Sequence, residues 1–275
     1  MTVLIIGGSG FLGAELLRRA TSAGRSTAAT FNSLPGEAPG TSWHHLDLQD
    51  LARLEEVLDV VCPSVVINAS TGGSDWSVTA DGPGRLAQGT ARRGIRLAHI
   101  SSDAVFSGNR GSSYDETVFP DPVTPYGAAK AAAETAVRLL HPAAVVARTS
   151  LILGDGGSAH ERMVHELAAG TRTGALFTDD VRCPVHVCDL AAAVLELAMS
   201  EEAGVFHLAG CEAVTRYELG VLIARRDGLD PSLLPACRRA DTGVPGALDV
   251  RLDSRATQQR LSTRLRGARE FLGEG

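Results

Sequence analysis

Lysine is almost missing from this chain: 25 of its 26 basic residues are arginine, and the single lysine is Lys130. Where arginine fills essentially every basic position, the one ammonium is expected at a place a planar, always-charged fork cannot serve. A basic surplus is lacking as well. The net charge of -6 and pI near 5.8 leave nothing with which to neutralise a run of phosphates, which excludes nucleic acid and an anionic membrane as general partners but permits one locally basic pocket. No stretch approaches the roughly 18 apolar residues of a membrane span. The first apolar run, Val3–Ile6, is too short for the core of a signal peptide, so a cytoplasmic protein is expected. Cysteine pairing is absent too. Cys62, Cys183, Cys188, Cys211 and Cys237 are odd in number, scattered, and without a Cys-x-x-Cys pair. They read as reduced thiols, each a small buried hydrophobe. The eight histidines have no metal-ligand spacing. His44, His45, His160 and His165 read as surface or capping residues, and no metal is expected.

What is present is a regular alternation. Short apolar runs at Val3–Ile6, Ser26–Phe31, Val65–Asn68, Leu97–Ser101, Val145–Arg148 and Val205–Leu208 are separated by segments with three- and four-residue apolar spacing, such as Leu12, Leu16 and Ala20. Strands and helices alternating in this way predict βαβ units around a parallel sheet buried on both faces. The expected fold is α/β, a doubly wound parallel Rossmann sheet with a smaller substrate-binding lobe. Residues 1–150 and 187–210 form the dinucleotide-binding part, and 151–186 with 211–275 the lobe. Leu34–Gly40, Gly72–Gly84 and Gly108–Pro125 are rich in glycine or proline and read as long loops.

Three motifs carry chemistry. Gly7-Gly8-Ser9-Gly10-Phe11-Leu12-Gly13 follows the first strand and opens a helix. Glycines at 7, 10 and 13 permit the tight turn, the close backbone approach and the helix–strand contact of a pyrophosphate loop. The next strand ends in Thr30-Phe31-Asn32-Ser33, without the carboxylate that would grip the ribose hydroxyls of NAD(H). NADP(H) is therefore expected in preference to NAD(H), with Asn32 and Ser33 beside the ribose and Arg18, Arg19 or Arg25 meeting its phosphate. Asp47-Leu48 follows a short extended run. Asp47 can accept the adenine amino group or cap the helix from Leu51.

Tyr126-Gly127-Ala128-Ala129-Lys130 is the second motif. Thr124 and Pro125 signal a helix start, which puts Tyr126 and Lys130 one turn apart on one face. A phenol, with a pKa of about 10, exchanges protons poorly at neutral pH, and a nearby ammonium lowers that value. The third motif, Ile100-Ser101-Ser102-Asp103, ends a strand where a hydroxyl can orient a reacting oxygen. Together these predict a Ser102–Tyr126–Lys130 set.

The chain resembles the extended short-chain dehydrogenase/reductases, in particular the dTDP-4-dehydrorhamnose reductase and sugar-nucleotide-binding family. The resemblance is carried by Gly7–Gly13, Val65–Ala69, Ile100–Gly108, Tyr126–Lys130, Arg148–Ser150 and Cys188–Ala191. It implies Tyr126 as the acid, Lys130 as the cofactor anchor, Ser102 as the residue orienting the carbonyl, and Ala69, Ser70 and Thr71 along the nicotinamide side. It also implies reduction of a keto group on a nucleotide-activated 4-keto sugar. Asp75 and Trp76 stand where the family's sugar-shaping loop differs, and they are candidates for the substrate with Asp103 and Arg182, the latter toward a diphosphate. An epimerase or dehydratase with recycled cofactor, or a non-catalytic NADP-binding regulatory subunit, are the alternatives. Self-association as a homodimer is left open.

Overall fold

In a computed structural model of the chain, residues 1–273 are described. Seven parallel strands form the central sheet: β1 (Thr2–Ile6), β2 (Ser26–Phe31), β3 (Ser42–His45), β4 (Val65–Asn68), β5 (Arg96–Ser102), β6 (Val145–Thr149) and β7 (Gly204–Leu208). Their spatial order is β7-β6-β5-β4-β1-β2-β3. The order reverses between β1 and β4, and ligands of open α/β sheets bind outside the carboxyl ends at such a switch point.

Alternation along each strand divides the core between the two faces. Val3 and Ile5 pack with helices α1 (Phe11–Ser22) and α6 (Val187–Ala198). Leu4 and Ile6 face α2 (Leu51–Val61), α3 (Gly82–Arg92) and α4 (Pro125–Leu140). Each of these fully buried aliphatic side chains contributes roughly 1.5–3 kcal/mol. Burial on both faces is why the strands read as continuous apolar runs.

A third core gathers Leu151, Leu153, Val164 and Leu176 with Val214, Leu219 and Ile223. It is built by α5 (Ala159–Ala168) and α7 (Arg216–Arg226) over the carboxyl edge of the sheet. Both helices open with capping boxes, Ser158 with Glu161 and Thr215 with Glu218. Leu261 and Leu265 return to the main core, although they lie within the stretch expected to belong wholly to the lobe.

Two expectations are corrected at the level of elements. Within the expected loop Gly72–Gly84, Ser77–Asp81 forms a π-helical turn that runs into α3. The glycines there serve packing: a Cβ on Gly82 would lie 2.9 Å from the Leu48 side chain. The cap of α2 is Asp50, whose carboxylate accepts from Arg53 N at 2.9 Å, whereas Asp47 accepts from Gln49 N. Cysteine is less uniformly buried than expected. Cys183 is buried, but Cys62 and Cys211 are exposed, and Cys62 closes α2 in the left-handed region at φ 45°. Among the described residues, no helix is long and apolar enough to cross a membrane, and no cluster of acidic, histidine or cysteine side chains could hold a metal ion.

Candidate active site

The glycine loop turns at Gly7 (φ +78°), where any side chain would be strained and would meet Ser70. The first turn of α1 begins at Gly10 and has no side-chain cap, so its N–H groups face the opening over the loop. A Cβ on Gly13 would stand 2.2 Å from the Gly7 carbonyl oxygen, so the helix can lie this close only with glycine there. A dinucleotide pyrophosphate requires such a cradle with uncapped donors, and the residues present fit it. Leu12 points its side chain into the core and can offer only backbone. The Phe11 ring turns the other way, beneath Gly154 and Gly157.

Gly7, Asn32, Asp47, Leu48, Ser70 and Thr71 line one cavity of about 280 Å³. Asp75 belongs to this cavity as well, away from the substrate side where it was expected, and its carboxylate caps the π-helical turn through Ser77 N. Ser33 is exposed at the end of β2, and Ala69 packs on the main core. Of the arginines expected to meet a ribose phosphate, Arg18 and Arg19 are both bound to Glu15, at 2.6 and 2.7 Å. Arg25 precedes Ser26, which pairs with Thr2 at the amino end of the sheet, the end opposite the glycine loop.

A larger cavity, about 580 Å³, opens on the other side of Tyr126. Thr124 caps α4 by accepting from Gly127 N at 3.1 Å, and Pro125 occupies the first turn. Gly127 lets this helix end meet the strand-end loop, since a Cβ there would be 2.0 Å from the Ala104 carbonyl oxygen. The Tyr126 phenol is thereby placed near the hydroxyls of Ser102 and Thr71. Burial raises its pKa, the Asp103 charge adds to the rise, and the two hydroxyls oppose it. Lowering of the phenol pKa by Lys130, expected from the sequence, is not found.

Lys130 is buried, and its Nζ donates to the Ile100 carbonyl oxygen at 2.9 Å. Burial pushes its pKa down to about 8 against the attraction of Glu134. Glu134 in turn accepts from Ser101 Oγ at 2.5 Å and pairs with the buried Arg148 at 2.8 Å.

Asp103 and Arg182 line the larger cavity as expected; Trp76 does not. Trp76 is 50% exposed and lies in a surface groove with Arg85 of α3 and Ala136 of α4. The helical continuation into α3 carries it to that outer face. Asp103 accepts from Ser150 Oγ at 2.6 Å, and its carboxylate is 3.6 Å from Arg182 Nε.

Sequence reasoning missed part of the cavity lining. Arg216, Arg239 and His160 join Arg182 there. All three arginines converge on Asp180, which has no exposed surface: Arg239 at 2.5 Å, Arg182 at 2.8 Å and Arg216 at 3.6 Å. The Arg182 contact is short but lacks hydrogen-bond alignment, which leaves that oxygen of Asp180 without a directed donor. His160, read as a surface residue, is half-buried, and its Nδ1 lies 3.3 Å from an Arg216 N–H group. A guanidinium cannot accept, so Nδ1 is the acceptor and Nε2 carries the proton. Burial first, and then the Arg216 charge, lower the His160 pKa to about 4. Three guanidinium groups thus face two carboxylates, Asp180 and Asp103, leaving one positive charge in surplus on the wall. The capping box around Thr215 signalled the helix that begins with Arg216, but nothing in the sequence singled it out among 25 arginines.

The chain matches the family described as RmlD substrate binding domain over residues 1–274. It is 31% identical over 265 residues to a probable low-salt glycan biosynthesis reductase of Haloferax volcanii, covering 90% of this chain and 87% of that protein. It is 32% identical over 243 residues to the dTDP-4-dehydrorhamnose reductase of Mycobacterium tuberculosis, covering 83% and 76%. Among solved structures, a hypothetical dTDP-4-dehydrorhamnose reductase from Sulfolobus tokodaii is similar with a TM-score of 0.82 and 28% identity, with 96% of each chain covered.

Proposed function

We propose, from the premise that the chain belongs to the RmlD substrate binding domain family, that it reduces a keto group on a nucleotide-activated 4-keto sugar. It is a nicotinamide-nucleotide-dependent oxidoreductase of the extended short-chain dehydrogenase/reductase type. The relatives named above as reductases support this reading. The observation that carries it is one cavity lined by both a phenol and a cluster of guanidinium groups. A nucleotide sugar has the matching chemistry, a carbonyl at one end and a diphosphate at the other.

The chain's own residues divide the work. A raised pKa keeps the Tyr126 phenol protonated at neutral pH, the form that donates a proton to a carbonyl oxygen. Ser102, near that phenol and in the same cavity, orients the same oxygen. Lys130, held by Ile100 and charged below about pH 8, anchors the cofactor. Bound in the glycine cradle, a reduced nicotinamide supplies the hydride. Arg182, Arg216 and Arg239 hold the diphosphate, with their charges aligned by Asp180. In this assignment residues 1–150 and 187–210 bind the dinucleotide, and 151–186 with most of 211–275 bind the substrate.

The test is incubation with nucleoside-diphospho-4-keto-6-deoxyhexoses and reduced nicotinamide nucleotides. Stoichiometric consumption of the reduced cofactor is expected. Tyr126→Phe should lower kcat by about 10²–10⁴-fold while nucleotide binding and the circular dichroism spectrum persist. Full activity in that variant would overturn the assignment of the acid. Turnover of the sugar without net cofactor consumption would identify an epimerase or dehydratase instead. A stoichiometric foreign protein retained through purification, with no turnover, would identify a regulatory subunit.

A further inference from the structure

The face of the sheet that α4 covers is not wholly apolar. On β5, Ser101 points at that helix, whereas its neighbour Ser102 lines the larger cavity. Across the sheet Ser101 is in register with Arg148 of β6, and Arg148 with His207 of β7. Glu134 comes down from α4 onto this row. Its carboxylate accepts from Ser101 Oγ at 2.5 Å, and from Arg148 Nε and Nη2 at 3.0 and 2.8 Å. The remaining Arg148 nitrogen donates to the Val118 carbonyl oxygen at 3.3 Å. Ser101, Glu134 and Arg148 are all buried, and they line neither cavity.

A buried ion pair is weak evidence for stability, since well-packed apolar side chains of similar volume often serve as well. The neighbours of this pair show what it does. Residues 126, 130 and 134 stand one turn apart along α4 and meet three consecutive residues of β5. Tyr126 lies near Ser102, Lys130 Nζ donates to the Ile100 carbonyl oxygen, and Glu134 holds Ser101 between them. Planar peptides join the three strand residues, so a shift of Ser101 carries Ile100 and Ser102 with it. Glu134 also places a negative charge one turn from the Lys130 ammonium and favours its charged form. His99 of β5 and His207 of β7 are held neutral, chiefly by burial, and Arg148 of β6 is paired. Among the described residues, no charged group of α3 or of the π-helical turn, which pack on α4, acts on Lys130.

Resting on the keto-reductase reading above, we infer that Glu134 is a positioning residue of that reaction. Fastened by Arg148, it fixes Ser101, sets Ile100 and Ser102 in register with Lys130 and Tyr126, and supports the charge of Lys130.

Variants that separate reach from charge test this in the intact enzyme, by steady-state kinetics against pH. Ser101→Ala removes the anchor and keeps the ion pair. Its kcat should fall about tenfold or more, with the KM for the nucleotide sugar changed by less than about twofold. The alkaline limb of kcat/KM should stay near pH 8 in that variant. Glu134→Gln keeps an acceptor for Ser101 and removes the charge. Loss of the attraction favours neutral lysine, so the limb should move to lower pH by about half a unit or more. Where an unpaired Arg148 unfolds that variant, Glu134→Gln combined with Arg148→Met removes both buried charges and carries the same expectation. Circular dichroism checks the fold of each. Wild-type kcat in Ser101→Ala would overturn the positioning role, and an unmoved limb in the glutamine variant would overturn the charge role. Absence of turnover by the wild-type chain on any keto sugar would overturn the keto-reductase reading and this inference together. Turnover by the wild type with unaltered variants would overturn this inference alone.

Discussion

Lys130 shows how much chemistry burial imposes on a single side chain. Removing an ammonium from water disfavours its charged form. Burial therefore brings this lysine's pKa from 10.5 down to about 8. The sign follows directly: Lys130 is charged below about pH 8 and loses its charge as pH rises through that value. Free-enzyme activity, read as kcat/KM, should then fall on an alkaline limb with a midpoint near 8. In Lys130→Arg, slower but permanently charged, that limb should disappear from a pH–rate profile measured to pH 10. A limb unchanged in the variant would assign the titration to another group. The stability cost of the buried cation has the same origin. It is complete below the folded pKa and is relieved as pH rises from about 8 toward the unfolded value of 10.5. The rarity of lysine pointed to this residue from the sequence. Its direction of action did not follow from the sequence, because the sequence places tyrosine and lysine one turn apart but does not say that Nζ bonds Ile100.

At the scale of elements, the junction of β1, the glycine loop and α1 is held by backbone proximity. Gly13→Ala would force a methyl group to within 2.2 Å of the Gly7 carbonyl oxygen, so α1 must shift away from the loop. Overpacking of this kind costs about 1–3 kcal/mol. The displaced helix end should also lose at least tenfold in nucleotide affinity. Thermal unfolding and a nucleotide titration of the same variant check both effects, and wild-type affinity would show that the cradle tolerates the shift. This junction was legible in the sequence because its glycines, its strand and its helix are contiguous. So was the start of α4, where Thr124 and Pro125 act locally. The segment after β4 was not. Gly72, Gly82 and Gly84 resemble turn residues, and only the packing of Gly82 on Leu48 and of Gly84 near Ala136 shows that they admit close neighbours to a helix. That change from loop to helix is what carries Trp76 to the outer surface.

At the scale of the whole molecule, the larger cavity exists because the small lobe folds over the carboxyl edge of the sheet. Arg182, Arg216 and Arg239 come from three separated segments, and Asp180 draws them together. Removing one partner from a buried charge cluster costs about 3–5 kcal/mol when the remaining charges stay buried. Partial exposure of Arg216 and Arg239 toward the cavity softens that penalty. Asp180→Asn keeps the shape and removes the charge. It should raise the KM for the nucleotide sugar at least tenfold and leave nucleotide binding in the smaller cavity unchanged. Steady-state kinetics with a parallel NADH titration separates the two. Equal loss of both would mark Asp180 as a general scaffold residue.

By itself the sequence determined the parallel sheet, the glycine cradle and the Ser102, Tyr126 and Lys130 positions, because each depends on residues within one or two turns of one another or at strand ends with a fixed period. Only the tertiary structure decided which of 25 arginines share the larger cavity, that burial lowers the His160 pKa, and that Asp75 shares a cavity with Gly7. It also decided that the phenol beside the lone lysine is held protonated. Burial and the meeting of distant segments set charge and pKa, and neither is encoded in the spacing of neighbours along the chain.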